Sequence, residues 1–155
     1  MKSLKPDTLI HNPVGCRVTS SVEVSADAHT VWNTVGDFAG FAAFIPALSH
    51  TEMTGTGVGS VRKKFFQDGN VVLEQLNSRN EEARVMTWSL IHTTLKVGNL
   101  WAAMQVDAVS EGRCRAVWTI EAEPHAENAH DLPAFEAFLQ GFADDAMGNV
   151  RTLFR

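Results

Sequence analysis

The segment from Pro133 to Leu153, PAFEAFLQGFADDAMGNVRTL, determines how the rest of the chain is interpreted. Its apolar residues recur three and four positions apart, as they do on one face of an α-helix. Asp131 can cap such a helix, and Pro133 suits its first turn. The spacing predicts a helix of about six turns. Its apolar stripe consists of Phe135, Phe138, Leu139, Phe142, Ala146, Val150 and Leu153.

Short strand-like segments separated by turn residues precede this helix. They lie at 48–54, 60–67, 70–79, 83–92, 99–109 and 113–123. The Asp68-Gly69 pair between two of them is a strong hairpin signal. Consecutive hairpins of this kind predict an antiparallel meander. A further strand is predicted at 17–24, where Val18, Ser20, Val22 and Val24 share one face.

Two short helical pieces are predicted after the first strand. Ser25 or Asp27 can cap a helix that ends at Gly36, and a second piece runs on to Pro46. The order is therefore strand, two short helices, six strands and a long helix. This order predicts an α+β fold in which a curved seven-stranded antiparallel sheet wraps around the C-terminal helix.

Length and composition limit the possible classes of protein. The 155 residues suggest a single domain, placed at 17–155. Residues 1–16 are expected to form an irregular arm, because Pro6, Pro13 and Gly15 break any periodicity there. A net charge of −5 argues against nucleic acid as a partner. There is no signal-peptide pattern and no long apolar run, so we expect a cytoplasmic protein without a membrane span. The two cysteines are expected to be free thiols.

A loop with three alternating glycines, Gly55, Gly57 and Gly59, precedes the basic run Arg62 to Lys64. Glycines next to cations can indicate a phosphate-binding loop. The nucleotide-binding motifs, however, need different glycine spacings and a helix directly after the loop. Here a predicted strand follows, so we interpret the segment as a flexible connection between two strands. A mobile loop of this kind at the mouth of a cavity would be suited to gating a ligand.

An ordered set of motifs resembles the START-like superfamily of the birch-pollen allergen, and within it the bacterial polyketide cyclase/dehydratase group. The motifs are Val31-Trp32, Asp37-Phe38, the glycine loop with its Arg62, the Glu-x-Leu strand VVLEQL (71–76), VWTIEAEP (117–124) and the long final helix. The likeness covers about residues 17–154. It implies a helix-grip fold with a large apolar cavity for lipids, sterols, polyketides or other small molecules.

Two positions depart from this resemblance. The family often has a tyrosine on the sixth strand, where this chain has Trp101, and the chain contains no tyrosine at all. The segment Phe66-Gln67-Asp68-Gly69 replaces the proline-bearing gate loop of the plant hormone receptors. The hormone-receptor latch is therefore not expected here.

Alternation along the strands, together with the resemblance, predicts which residues line the cavity. If Glu74 points inward, as its family position implies, Val72 and Leu76 do so as well. His92 is expected to share a face with Trp88 and Leu90. The predicted ligand-binding residues are Phe38, Phe44, Arg62, Phe66, Val72, Trp88, Leu90, Trp101, Ala103, Trp118, Phe138 and Phe142. The alternative is that these aromatic side chains only fill the core.

Glu74 and His92 are the candidate catalytic residues. A desolvated Glu74 carboxyl group would have a raised pKa and would suit proton transfer. The alternative is a structural ion pair between Glu74 and Arg62. Arg62 itself would otherwise hold a ligand carboxylate. His92 has no paired nucleophile, and a histidine in that setting is more often structural or on the surface.

Three functions follow from these residues. The first is an enzyme that cyclises, dehydrates or transfers protons on an aromatic, polyketide-like substrate. The second is a carrier or sensor of a lipid-like or aromatic ligand without chemistry, and the third is a protein-interaction module. The partner expected is a hydrophobic small molecule, and the protein is expected to be a monomer or a homodimer. The sequence predicts no metal site and no cofactor.

Overall fold

The computed structural model describes Leu4 and residues 15–155, so most of the predicted arm at 1–16 lies outside the described residues. The strands are β1 (Cys16–Val24), β2 (Leu48–Thr54), β3 (Val61–Phe66), β4 (Val71–Asn80), β5 (Val85–Thr93), β6 (Val97–Ser110) and β7 (Arg113–Pro124). The helices are α1 (Ala28–Val35) and α2 (Leu132–Leu153). Single 3₁₀ turns lie at Phe41–Ala43 and Ala126–Asn128.

The strands form one seven-stranded sheet in the order β1-β7-β6-β5-β4-β3-β2. All neighbouring strands are antiparallel, and the last six form the predicted meander. Bulges interrupt the register, two of them in the pairing of β4 with β5, at Leu73/Glu74 and Leu76/Ser78. Because a bulge bends its strand and increases its twist, these irregularities help the sheet to curve around α2. The predicted helix-grip fold is confirmed.

Helix α2 begins where the sequence predicts. The Asp131 side chain accepts a hydrogen bond from the Ala134 N–H at 3.1 Å. The buried face packs mainly against β1 and consists of Phe135, Leu139, Ala143, Ala146, Met147 and Val150. Two members of the predicted stripe, Phe138 and Leu153, are 54% and 51% exposed. Phe138 falls at the edge of the buried face and Leu153 in the last turn, so periodicity alone overestimated the stripe.

Asp27, not Ser25, caps α1, since its Oδ1 accepts a hydrogen bond from the Thr30 N–H at 2.7 Å. The second helical piece predicted before Pro46 is a single 3₁₀ turn at Phe41–Ala43. Phe41 in this turn is fully buried. The turn therefore contributes to the core although it is too short to form an α-helix.

The glycine loop joins β2 to β3, as predicted. Gly55, Gly57 and Gly59 have φ angles of +80°, +70° and +91°. These left-handed conformations strain any residue that has a Cβ atom. No helix follows the loop, so it lacks the anion-binding helix terminus of a nucleotide site.

Within the described part of the chain, no helix is both long and apolar enough to cross a membrane. The main core lies between the concave face of the sheet and helices α1 and α2. Trp32, Trp88 and Phe44 are among its most deeply buried side chains. This core forms most of the surroundings of the cavity described next.

Candidate functional site

A cavity of about 230 Å³ lies between the concave face of the sheet and α2. Its wall is mainly apolar and aromatic, and this composition is typical of small-molecule sites. The volume is below the usual range of roughly 300–1,000 Å³ for drug-sized ligands. It exceeds the roughly 150 Å³ of an engineered cavity that admits benzene. A ligand of one or two rings would therefore fit without rearrangement.

Many of the residues predicted to bind a ligand line this cavity. They are Phe66, Val72, Trp88, Leu90, Trp118, Phe138 and Phe142, together with the candidate catalytic residue Glu74. Trp118 contacts Trp88 and Phe142, with ring centroids 6.3 and 5.9 Å apart. These rings form a continuous aromatic wall from the sheet to α2.

Trp101 and Ala103 do not line the cavity, although both are buried. Their neighbour Ala102 lines it instead, opposite Trp88 on β5 and Ile120 on β7. The two faces of β6 were therefore assigned the wrong way round. The error came from matching Trp101 to the family tyrosine, whereas the cross-strand register gives the opposite result.

His92 is exposed and does not line the cavity, contrary to the expected alternation. Glu74 pairs with Leu90, and Leu73 pairs with His92, so one extra residue is accommodated on β5 between these pairs. This bulge reverses the alternation beyond Leu90, and Thr93 faces the cavity in place of His92. His92 therefore lies outside the cavity wall.

Three further predicted ligand-binding residues, Phe38, Phe44 and Arg62, are buried but do not line the cavity. The Arg62 guanidinium carbon lies 3.9 Å from the ring centroid of Phe38 and 4.1 Å from that of Phe41. Its Nη1 donates a hydrogen bond to the Phe38 carbonyl oxygen at 2.8 Å. Arg62 therefore lies behind the cavity wall and joins β3 to the segment after α1.

A buried cluster of three charged side chains joins this arginine to the cavity. Glu74 Oε1 lies 2.9 Å from both Nε and Nη2 of Arg62, and 3.0 Å from Lys64 Nζ. All three side chains are almost fully buried. Glu74 and Lys64 line the cavity. The ion pair with Arg62, one of the two roles considered for Glu74, is present and extends to a second cation.

The cluster sets the ionisation of its members. Burial acts to raise the pKa of Glu74, but the charges and hydrogen bonds of Lys64 and Arg62 outweigh it and lower that pKa below its ordinary value. The raised pKa expected from desolvation alone is therefore not found. Burial lowers the pKa of Lys64 to about 8, although Glu74 acts in the opposite direction.

Lys64 was not among the predicted site residues. Strand alternation contained the signal, because Arg62, Lys64 and Phe66 share one face of β3. Lys64 also lies directly opposite the cavity residue Val72 on β4. Lysine is seldom buried, and a charged run at a strand start usually indicates a solvated face. Because Arg62, Lys63 and Lys64 are all charged, the alternation of inward- and outward-facing residues along β3 was not recognised.

The histidine and cysteine side chains among the described residues lie outside this cavity. Among residues 15–155, no group of three or more His, Cys, Asp or Glu side chains is arranged to hold a metal ion. His50 stacks on Phe65 at 4.4 Å between ring centroids, and both lie outside the cavity wall. Cys16 and Cys114 are free thiols. The charged cluster with its cavity is thus the best-supported candidate site.

A comparison of the sequence with known protein families identifies one match. The model of a family described as polyketide cyclase / dehydrase and lipid transport matches residues 15–155. None of the curated proteins matches the chain at a significant level.

Solved structures show the same fold at low sequence identity. The protein XoxI from Bacillus cereus is 22% identical, with a TM-score of 0.77 over 89% of this chain and 94% of its own. The Zhui aromatase/cyclase from Streptomyces sp. R1128 is 18% identical, with a TM-score of 0.71 over 90% and 96%. The di-domain ARO/CYC BexL of the BE-7585A biosynthetic pathway is 11% identical, with a TM-score of 0.76 over 88% and 45%.

Proposed function

Since the chain belongs to the polyketide cyclase/dehydrase and lipid transport family, we propose that it binds a hydrophobic, aromatic small molecule of polyketide-like character in its cavity. We further propose that it promotes cyclisation, dehydration or a related proton transfer on that molecule. The observation that carries the proposal is the aromatic cavity with the paired Lys64 and Glu74 side chains in its wall. Two of the structural neighbours are the Zhui aromatase/cyclase and the di-domain ARO/CYC BexL.

The cavity wall offers a physical basis for this chemistry. Aromatic side chains on opposite sides would hold a planar substrate in one orientation, and the apolar surroundings would exclude water. Cyclisation and dehydration both move a proton and develop negative charge on a carbonyl oxygen. The Lys64 ammonium group is suited to stabilising such a charge. Glu74, with its lowered pKa, would serve as an ionised carboxylate rather than as an acid.

The alternative, a carrier or sensor without chemistry, is supported by the pairing of Glu74. A carboxylate held between two cations is a weak base, because protonation would break favourable contacts. Apart from Glu74, the titratable side chains in the described cavity wall are Lys64 and the exposed Asp68. A protein with this wall would bind a ligand whether or not it transforms it.

The binding proposal can be tested with a matched pair of substitutions. Leu90 lines the cavity, whereas its neighbour Ile91 is 53% exposed and does not. We expect Leu90→Trp to weaken the binding of one- and two-ring aromatic compounds at least tenfold in isothermal titration. Ile91→Trp, the same change on the outer face, should leave binding within about twofold. Equal effects of the two substitutions would contradict the assignment of this cavity.

Enzyme and carrier can be separated by product analysis. A bound molecule extracted from the protein, or a candidate polyketide substrate, would be incubated with the wild type and with Glu74→Gln. Conversion that falls at least tenfold in a folded Glu74→Gln variant with unchanged binding supports proton transfer at Glu74. If the ligand is recovered unchanged from the wild type under all conditions, the carrier is the better account.

A further inference from the structure

We infer that the cavity selects ligands carrying one anionic oxygen group, such as a carboxylate, and that the Lys64 ammonium group is its binding partner. This inference rests on the proposed function, since it requires that the cavity bind a small molecule. It adds the chemical class of the ligand and a specificity residue outside the predicted set.

The charges of the cluster do not balance. One carboxylate, Glu74, faces two cations, Arg62 and Lys64. Both cations contact the same oxygen, Oε1, at 2.9 and 3.0 Å. One positive charge therefore remains without a full counter-ion in a largely apolar region. A buried charge of this kind is unfavourable unless an opposite charge is supplied.

The excess positive charge lies on the cavity side. Arg62 is directed away from the cavity, where its guanidinium group stacks on Phe38 and bonds to the Phe38 carbonyl oxygen. The exposed Asp37 carboxylate also attracts the Arg62 guanidinium group, more weakly than Glu74 does. Lys64 has no such ring contact, carbonyl hydrogen bond or second carboxylate among the described residues, and it lines the cavity.

Lys64 also has unused hydrogen-bonding capacity. An ammonium group carries three donors. Among the described residues, its side chain has a single polar contact, with Glu74 Oε1 at 3.0 Å. The side chain is only 6% exposed, so bulk water does little to satisfy the other donors. An oxygen anion in the cavity would accept from them and balance the charge.

The remaining charged groups near the cavity do not cancel this preference. Helix α2 contributes only Phe138, Leu139 and Phe142 to the wall, and none of them titrates. Asp68 lines the cavity from the β3–β4 turn, but it is exposed, and its two oxygens accept hydrogen bonds from Asn70. Solvent and salt screen an exposed carboxylate far more than a buried one.

Three naphthalene probes test the inference, because they share an apolar body and differ in charge. They are 2-naphthoate, the neutral near-isostere 2-naphthamide and the cationic 2-naphthylmethylamine. Isothermal titration at pH 7 should give an affinity for 2-naphthoate at least tenfold higher than for 2-naphthamide. The cation should bind most weakly.

Lys64→Met should reduce the preference for 2-naphthoate over 2-naphthamide to less than threefold, because it removes the charge and keeps most of the chain length. Lys63→Met is the matched control, since Lys63 lies next along β3 and is not part of the cavity wall. It should retain the wild-type preference. A preference that persists in Lys64→Met would overturn the inference.

A measurement on the wild type alone keeps the inference testable if Lys64→Met fails to fold. Burial lowers the pKa of Lys64 to about 8. The preference for 2-naphthoate should therefore decline at least threefold between pH 7 and pH 9.5, while the carboxylate stays ionised. A preference that stays constant over this range would contradict the role of Lys64.

The outcomes separate this inference from the proposed function. If 2-naphthamide binds as tightly as 2-naphthoate or more tightly, the charge selection is wrong and the small-molecule site stands. If none of the three probes binds the wild type, and Leu90→Trp and Ile91→Trp behave alike toward other aromatic compounds, both proposals fail.

Discussion

Glu74 Oε1 contacts two buried cations, so the loss of its charge would leave both without a counter-ion. We expect Glu74→Gln to lower the free energy of unfolding by about 3 kcal/mol or more. Glu23 is the matched control, because it also contacts two arginines, Arg113 and Arg115, but is 45% exposed. Glu23→Gln should cost less than about 1 kcal/mol. Urea denaturation of both variants measures the difference, and equal losses would contradict the burial argument.

Lys64 predicts an unusual dependence of stability on pH. Its pKa falls from 10.5 to about 8 on folding, chiefly through burial. Between these values the unfolded chain binds more protons than the folded chain, so this residue's contribution to stability rises with pH. The expected rise is on the order of 1–3 kcal/mol.

Urea denaturation of the wild type and Lys64→Met between pH 7.5 and pH 10.5 checks this expectation. The wild type should gain stability relative to Lys64→Met across this range, and Lys63→Met should follow the wild type. Parallel curves for the wild type and Lys64→Met would rule out a depressed pKa at Lys64.

At the level of single residues, the sequence was most informative about Glu74 and Arg62, because two separate motifs placed them on neighbouring strands. The likeness between Glu74 and the family's Glu-x-Leu strand, together with Arg62 after the glycine loop, predicted a possible ion pair that is present. The third member, Lys64, was missed. Lys64 belongs to the cluster because it lies beside Glu74 across the β3–β4 pair, and this position is known only once the register of the two strands is known.

At the level of secondary-structure elements, the residue that caps the N-terminus of α1 can be tested by substitution. Ser25 and Asp27 were equally suitable as caps from the sequence, and Asp27 makes the contact, at 2.7 Å to the Thr30 N–H. Asp27→Ala should lower the free energy of unfolding by about 1 kcal/mol. Ser25→Ala should change it by less than about 0.5 kcal/mol. Chemical denaturation checks both, and a larger loss for Ser25→Ala would contradict the assignment.

Strand positions were predictable, whereas the faces of the strands were less so. β2 (Leu48–Thr54) lies where the sequence placed it, and the other strands differ by one or two residues at their ends. Turn residues mark these limits locally. His92 was assigned to the wrong face because the β5 bulge is set by pairing with β4, and such pairing leaves no mark in the sequence of a single strand.

At the level of the whole molecule, the order of the elements was sufficient to predict the fold. A meander followed by one long amphipathic helix has few ways to bury both apolar faces. The cavity was harder to predict, because its volume depends on how far the rings of Trp88, Trp118 and Phe142 fill the space under α2. Neither periodicity nor composition contains that information.

The central claim is that this cavity holds a small aromatic or apolar molecule. Native mass spectrometry tests it most directly, with three freshly purified proteins: the wild type, Leu90→Trp and Ile91→Trp. Each would be measured as isolated and after incubation with 2-naphthoate. We predict that the wild type and Ile91→Trp carry one bound molecule and that Leu90→Trp carries little or none. Bare chains throughout, or equal occupancy in Leu90→Trp, would contradict the claim.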